Sequence, residues 1–285
     1  MCKFMRTFSR QFSTLDGATV CQLISRLSQE SSKIMLKALN KRMEYTTKKH
    51  SRDILTKADK AVERLLVSGI RKEFPEHQII AEEGTEGVSK SKHLTAAPTW
   101  IIDPIDGTMN FLHGFPYFCT SIAFYAEKQA QFGWIHNPLL RQTYVAQRGK
   151  GFFFFNDQRM QASKQRDLKK SLIFVEWSLK RNEDHVNVAM DNMLKLLPIV
   201  HGIRSLGSTA LNIAQVATGA CDAYIQFGPQ IWDTAAGVLM VREAGGVVLD
   251  PCGGEYDLQS QRLLATSTAE LAEQLIPMLT QVFPD

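Results

Sequence analysis

The sequence has no apolar run of membrane-spanning length, so it offers no candidate transmembrane helix. It has no paired cysteines: Cys2, Cys21, Cys119, Cys221 and Cys252 are scattered, odd in number and free of any C-x-x-C spacing. That pattern argues against a disulfide framework or a zinc site and for a reducing, cytoplasmic compartment. Strong charge of one sign is also missing. The 33 basic and 29 acidic residues leave a formal charge of +4, and the densest basic patch, Lys48-Lys49-His50 with Arg52, is short. Nothing in that balance calls for a nucleic-acid partner. There is no internal repeat, low-complexity tract or linker-like composition shift, so a single domain over residues 15–285 is expected.

What is present is ordinary for a soluble globular chain. Apolar residues make up 44% and charged residues 22% of 285 positions, enough to bury a sizeable core. The first residues, MCKFMRTFSRQFSTL, carry three basic side chains and no acid before Asp16. Such a stretch faintly resembles a mitochondrial transit peptide; the plainer expectation is a solvated, disordered segment over residues 1–14.

Apolar spacing predicts a long amphipathic helix from Leu15 to Arg42, continuous or broken near Ser31-Ser32, and a second from Thr56 to Pro75. HQIIAEEG reads as a short strand ending in two acids, and the polar EYTTKKHSRD as a loop or short hairpin. After TWIID, the segment from Tyr117 to Pro138 reads as two strands, and QTYVAQRGKGFFFFNDQRM as two more. SLIFVEW is a further strand and residues 182–197 a helix. GSTALNIAQVATGACDAYIQF and WDTAAGVLMVREAGGVVLD each read as helix, glycine stop and strand, and TAELAEQLIPMLTQVF as a last helix. Helices and hairpins come in blocks rather than strict βαβ units, which favours layered α+β packing over a doubly wound parallel sheet.

Acidic residues recur in one context, where a strand end or helix start meets a loop: Glu82 and Glu83 after QII, Asp103 and Asp106 after TWII, and Asp233 before TAAGVLMVREA. Proline 104 biases Asp103 to extended geometry. The chain then turns, Asp106 can return to the same side, and the Ile105 carbonyl lies between the two carboxylates. Three oxygens so disposed suit a hard cation such as Mg²⁺. Gly107-Thr108 follows; a helix starting there would turn free N–H groups toward the same corner, where a phosphate can bind. Each element also has a plainer reading. D-P-x-D-G-T is a plausible surface turn, Asp233 and Ser208 are plausible N-caps, Glu82-Glu83 a solvated pair, and Asp59 a charged position on a helix face.

Taken together, the residues resemble the inositol monophosphatase family, within the wider group of Mg²⁺-dependent, lithium-sensitive phosphatases. WIIDPIDGTMNF resembles its first signature and WDTAAGVLMVREAGG its second. AEEG, LTKAD and HGIRSLGSTALNIAQVATGACDAY are similar to its other acidic and pre-signature segments. The resemblance runs from about Leu15 to the C-terminus. It implies an αβαβα sandwich, a homodimer, and two or three Mg²⁺ per subunit. Glu82, Asp103 and the Ile105 carbonyl would hold the first ion, and Asp103, Asp106 and Asp233 the second; Glu82 would assist a third. Thr108 paired with Asp59 would orient and activate the attacking water, and the backbone around Gly107 and Thr108 would hold phosphate. Glu83 would support the ligands from behind, and Lys48 matches a basic position near the entrance.

Against that family pattern, Gln226 stands where inositol enzymes carry a Glu that contacts sugar hydroxyls. Ser208-Thr209 stand where the family often has Thr or Ser then Ala, and EWSLKR departs from the usual substrate-side loop. The expectation is therefore hydrolysis of a small phosphorylated polyol or sugar, inositol monophosphate first. Fructose 1,6-bisphosphate, histidinol phosphate and 3′-phosphoadenosine 5′-phosphate are the rivals. Some bacterial relatives also associate with RNA polymerase and ribosomal RNA complexes, so the resemblance permits a regulatory role of another class.

Overall fold

The structure, a computed structural model, describes residues 17–40, 44–48, 54–84, 93–150, 153–156, 158–177 and 183–283. The N-terminal segment 1–14, most of the basic patch after Lys48, and the EWSLKR stretch beyond Trp177 up to its end at Arg181 lie outside these residues.

The chain begins with α1 (Gly17–Leu39), whose buried Val20, Leu23, Ile24, Leu27 and Met35 keep the helical spacing read from the sequence. It runs unbroken through Ser31-Ser32. Both hydroxyls turn back onto carbonyls four residues earlier, Ser31 Oγ to Leu27 O at 2.9 Å and Ser32 Oγ to Ser28 O at 2.7 Å, which the helix tolerates. A short antiparallel ladder, β1 (Tyr45–Thr47) with β2 (Ile54–Thr56), leads into α2 (Lys57–Glu73). Thr56 caps that helix reciprocally with Asp59.

Seven strands follow in one sheet: β3 (Gln78–Ala81), β4 (Thr99–Asp106), β5 (Cys119–Ala126), β6 (Gln129–Asn137), β7 (Gln142–Gln147), β8 (Phe153–Phe155) and β9 (Gln158–Met160), in sequence order. β3 and β4 are parallel and the rest antiparallel. Between β4 and β5 lies the six-residue helix α3 (Thr108–His113). The β5–β6 hairpin turns at Glu127 and Lys128, both with positive φ, as a tight right-twisted hairpin requires. β9 adds a strand beyond those expected.

A second sheet has the order β11-β10-β12-β14-β13, built from β10 (Leu172–Glu176), β11 (Gly202–Arg204), β12 (Ala223–Phe227), β13 (Val247–Leu249) and β14 (Arg262–Thr266). Its helices are α4 (Glu183–Leu196), α5 (Thr209–Thr218), α6 (Ile231–Glu243) and α7 (Ala269–Leu275). β11 and β14 carried no strand signal strong enough to be read from sequence. The expected long C-terminal helix is shorter than its pattern: α7 stops at Leu275 and passes into a 3₁₀ turn at Ile276–Met278 containing Pro277. Proline removes a helical hydrogen bond, and Arg262 draws the chain beyond it aside by donating to Val282 O at 2.6 Å and Gln281 Oε1 at 2.7 Å.

Three apolar clusters order these elements into five layers. Val20, Ile24, Val62, Leu66 and Ile70 of α1 and α2 pack on Trp100, Ile102, Ile122 and Phe124 of the first sheet. The opposite face of that sheet, with Ile101, Ala123 and Ile135, packs on α5 and α6, which also cover Phe174, Tyr224 and Leu263 of the second sheet. The outer face of the second sheet, with Ile173, Ile225 and Leu264, is covered by α4 and α7 through Val188, Leu196, Leu271 and Leu275. The result is the αβαβα sandwich. α6 lies against β6 at Gly133, where an added Cβ would sit 2.9 Å from the Ala236 carbonyl; only glycine lets the helix approach so closely. No helix of the described residues is long and apolar enough to cross a membrane.

Candidate active site

The site grows from the end of β4. In a regular strand, residues three apart point to opposite faces. Here Asp103 pairs with Ser121 and Asp106 with Cys119, so three steps on β4 match two on β5. The extra residue makes a bulge, which returns Asp106 to the side of Asp103. Pro104 sits in the bulge, where a missing N–H costs the ladder nothing, and Thr120 Oγ1 donates to its carbonyl at 2.9 Å. α6 delivers a third carboxylate from its first turn, where Asp233 accepts from Gln230 N at 2.8 Å. Oxygens of Asp103, Asp106 and Asp233 lie within 4.8 Å of one another.

Two of these acids are out of the solvent, Asp103 at 1% and Asp106 at 7% exposed, and Asp233 is half-buried. Asp103 Oδ1 is buried with no hydrogen-bond partner among the described residues, a position that costs free energy unless a cation or proton meets it. Two carboxylates about 4 Å apart repel by roughly 4 kcal/mol at an effective dielectric near 20. Burial, then the charges of Glu82, Asp106 and Asp233, holds the Asp103 carboxyl well above the usual range. Burial and then Asp106 do the same to Asp233. Asp106 is pushed up only to about 6, because hydrogen bonds oppose its burial: Ser208 Oγ donates to its Oδ2 at 2.5 Å and Ala210 N at 2.8 Å. The set is all oxygen and converges on one point. It can bind a metal ion, and hard cations fit it best.

Glu82 follows β3 and joins the corner through its own N–H, which donates to Ile102 O at 3.3 Å. Its Oε1 accepts from Lys48 Nζ at 2.8 Å, and the same ammonium reaches Glu83 Oε1 at 2.7 Å. Burial would lower the Lys48 pKa, but the two carboxylates raise it overall. Glu83 is no solvated loop acid. Its side chain is 2% exposed, its N–H donates to Glu63 Oε2 at 2.7 Å, and burial pushes its carboxyl up to about 8.

Asp59 is likewise not a surface position on its helix: it is 0% exposed. Its Oδ2 accepts from the Thr56 N–H at 2.8 Å and hydroxyl at 2.5 Å, while its Oδ1 faces Thr108 Oγ1 at 3.4 Å. That hydroxyl also reaches the Ile105 carbonyl at 2.9 Å. Burial raises Asp59 to about 6 against the two Thr56 bonds. Gly107, between Asp106 and Thr108 in the chain, has φ +84°. An added Cβ there would meet the carbonyls of Tyr117 and Gly207 at 3.0 and 3.1 Å.

A cavity of about 400 Å³ opens over this corner. Glu82, Asp103, Ile105, Asp106, Gly107, Thr108 and Asp233 line it together with Glu176, Trp177, Thr209 and Gln226. Gln226 Oε1 accepts from Thr209 Oγ1 at 2.9 Å and Tyr224 OH at 2.5 Å. Of the residues singled out in the sequence, Lys48, Asp59, Glu83 and Ser208 stand behind the lining. Glu176 and Trp177, noted only as part of the EWSLKR departure and given no role, line the cavity, as does Asn110. Glu176 had the same signal as the other acids, a carboxylate at the end of a buried strand.

The layered sandwich with an acidic corner at a strand end defines a class of site able to bind a metal ion. A model of the inositol monophosphatase family matches residues 17–282. Inositol monophosphatase 2 of Rattus norvegicus is 44% identical over 248 residues, 87% of this chain and 85% of that protein. Inositol monophosphatase 1 of Homo sapiens is 41% identical over 259 residues, 90% and 92% of the two chains. Among solved structures, the extragenic suppressor protein suhB of Bartonella henselae superposes with a TM-score of 0.83 at 29% identity, covering 92% of this chain and 99% of that one. An IMPase of Thermotoga maritima gives 0.81 at 29%, covering 91% and 96%. The chain belongs to the inositol monophosphatase family, and so to the phosphoric monoester hydrolases.

Proposed function

We propose that the chain hydrolyses a small phosphorylated polyol or sugar, inositol monophosphate first among candidates, with Mg²⁺ as cofactor. The carrying observation is the meeting of Asp103, Asp106 and Asp233 around a buried, unpartnered Asp103 oxygen inside a cavity. The donor set fits Mg²⁺, which takes carboxylates, carbonyls and waters. Glu82, Asp103, the Ile105 carbonyl, Asp106 and Asp233 would hold two or three ions. Bound there, Mg²⁺ supplies Lewis acidity toward the attacking water and charge against the developing phosphoryl oxygens.

The protein's own groups do the rest. In this reading Thr108 takes a proton from the attacking water as it passes its own hydroxyl proton to Asp59, so that the hydroxyl is restored and the proton ends on the carboxylate. A carboxylate raised to about 6 suits a proton acceptor working near neutrality. The backbone of Gly107 and Thr108 cradles phosphate, since the first N–H groups of α3 have no partner within the helix. Glu83 and Lys48 steady Glu82 through the ion pairs described above. Ser208 steadies Asp106, and Thr209 with Gln226 faces the leaving group. A homodimer and inhibition by Li⁺ belong to the same reading, as does a cytoplasmic location.

The test is phosphate release from inositol 1-phosphate, fructose 1,6-bisphosphate, histidinol phosphate and 3′-phosphoadenosine 5′-phosphate, each with and without Mg²⁺. Turnover of the first that vanishes without Mg²⁺ and in Asp103→Asn is expected. Wild-type rates in Asp103→Asn would remove the metal role, and turnover of only another substrate would reassign the leaving group.

A further inference from the structure

Glu176 ends β10, pairs in register with Gln226 of β12, and lines the same cavity as the acidic corner. Its carboxylate gathers an unusual number of donors. Oε1 accepts from the backbone N–H groups of Leu206 and Gly207, both at 2.6 Å, and from Asn212 Nδ2 at 3.0 Å. Oε2 accepts from Ser205 Oγ at 3.1 Å. Every donor comes from the turn before α5 or from α5 itself.

The turn is held from its other side by the corner. Asn110 Nδ2, on α3, donates to the Leu206 carbonyl at 2.7 Å and to Tyr117 O at 2.8 Å. The Leu206–Gly207 peptide is thus fastened through its N–H, that of Gly207, to the second sheet and through its carbonyl, that of Leu206, to the helix after Gly107. The next peptide carbonyl, of Gly207, lies where a Cβ on Gly107 would be 3.1 Å away. One residue later, Ser208 reaches Asp106 at 2.5 Å.

Resting on the phosphatase reading above, we propose that Glu176 is a positioning residue for the reaction. It seats the 205–207 turn so that Ser208 meets Asp106 and the Gly107 corner is closed from behind. The carboxylate acts through that turn rather than on the phosphate. A group hydrogen-bonded to a metal ligand, as Ser208 is to Asp106, typically carries 10–100-fold in metal affinity, so a displaced turn is felt there, and a shift of about 1 Å at a reacting centre can cost roughly 10²-fold in rate.

Two substitutions separate seating from charge. Glu176→Asp keeps the charge but withdraws the carboxylate by one carbon–carbon bond, taking the Leu206 and Gly207 N–H groups out of hydrogen-bond range. Glu176→Gln keeps the length and an acceptor oxygen. Two readouts are taken on the full chain: kcat on the substrate that the phosphate-release panel identifies, and the Mg²⁺ concentration giving half of the Mg²⁺-induced rise in Tm, measured with Mg²⁺ alone. In Glu176→Asp the half-effect concentration is expected to rise about tenfold and kcat to fall roughly 10²-fold. In Glu176→Gln both stay within about fivefold of wild type, the gap between a neutral and a charged hydrogen bond.

An Asp variant with a wild-type Mg²⁺ midpoint overturns the proposal whatever its kcat. A Gln variant as impaired as the Asp one does so too, by making charge the cause. If Glu176→Asp does not fold, Asn110→Ala releases the same Leu206–Gly207 peptide from the other side, and its Mg²⁺ midpoint decides: raised supports, unchanged overturns. A wild-type chain that hydrolyses nothing in the panel but is stabilised by Mg²⁺ would refute the phosphatase reading. The Mg²⁺ midpoints would still judge Glu176.

Discussion

Ser208 donates its hydroxyl to Asp106 Oδ2 at 2.5 Å, across 102 positions of sequence, and so ties the start of α5 to the end of β4. The same hydroxyl sits 3.4 Å from the Leu211 N–H as helix cap. Ser208→Ala removes both and leaves a buried carboxylate with one donor fewer. A bond to a charged group is worth about 1.5–3 kcal/mol, so calorimetry on the metal-free protein should show a loss of about that size at neutral pH. The variant should also need more Mg²⁺ for half-maximal turnover.

The acidic corner makes metal-free stability depend on pH. Folded-state pKa values of about 6 for Asp59 and Asp106 and about 8 for Glu83 lie above the ordinary 3.8 and 4.5. The folded chain therefore binds more protons than the unfolded one between these limits, and stability falls as pH rises. With a chelator present, Tm should decrease from pH 4 toward pH 8 through these groups. Saturating Mg²⁺ should restore part of the loss at pH 8, by neutralising Asp106 and the carboxylates that converge with it. A chelated protein whose Tm rises steadily to pH 8 would contradict this assignment.

Asp59 and Asp103 should fail in different ways. Asp59→Asn removes the proton acceptor for Thr108 but no carboxylate of the three-acid cluster. It should lower kcat by roughly 10²–10⁴-fold while the Mg²⁺-induced Tm shift persists. Asp103→Asn should abolish both. Loss of the Mg²⁺ shift in Asp59→Asn would move that residue into the metal set.

Gln226→Glu should fold as wild type does, because Thr209 and Tyr224 still find an acceptor oxygen. Its second oxygen would then face the cavity as an anion able to accept from a polyol hydroxyl. A charge-assisted bond of about 1.5–3 kcal/mol corresponds to a rise of roughly tenfold or more in kcat/KM for inositol 1-phosphate. An unchanged kcat/KM would show that Gln226 already serves the same hydroxyl as well.

Much of the corner could be read directly because it is contiguous. Asp103, Pro104, Ile105, Asp106, Gly107 and Thr108 occupy six consecutive positions, and the strand and glycine turn follow from local rules; where the sequence suggested a turn after Asp103, pairing with β5 carries the strand through a bulge to Asp106. Apolar spacing gave α1, α2, α5 and α6 for the same reason. Glu176 was passed over, although its strand was read, because its four donors come from positions 29 to 36 residues away and leave no local pattern. β14 was missed because a five-residue strand buried on both faces has no alternation to find.

The sequence by itself determined the chemistry available: which oxygens exist, which of them sit at strand ends and helix starts, and where glycine and proline let the backbone turn. Only the packing of five layers decided that Asp59 and Glu83 are buried rather than solvated, that Asp233 meets Asp103 and Asp106, and that Glu176 grips the turn before α5. Burial and convergence arise from contacts between elements far apart in the chain, and the charge repulsion that makes the corner fit for a cation exists only once those contacts have formed.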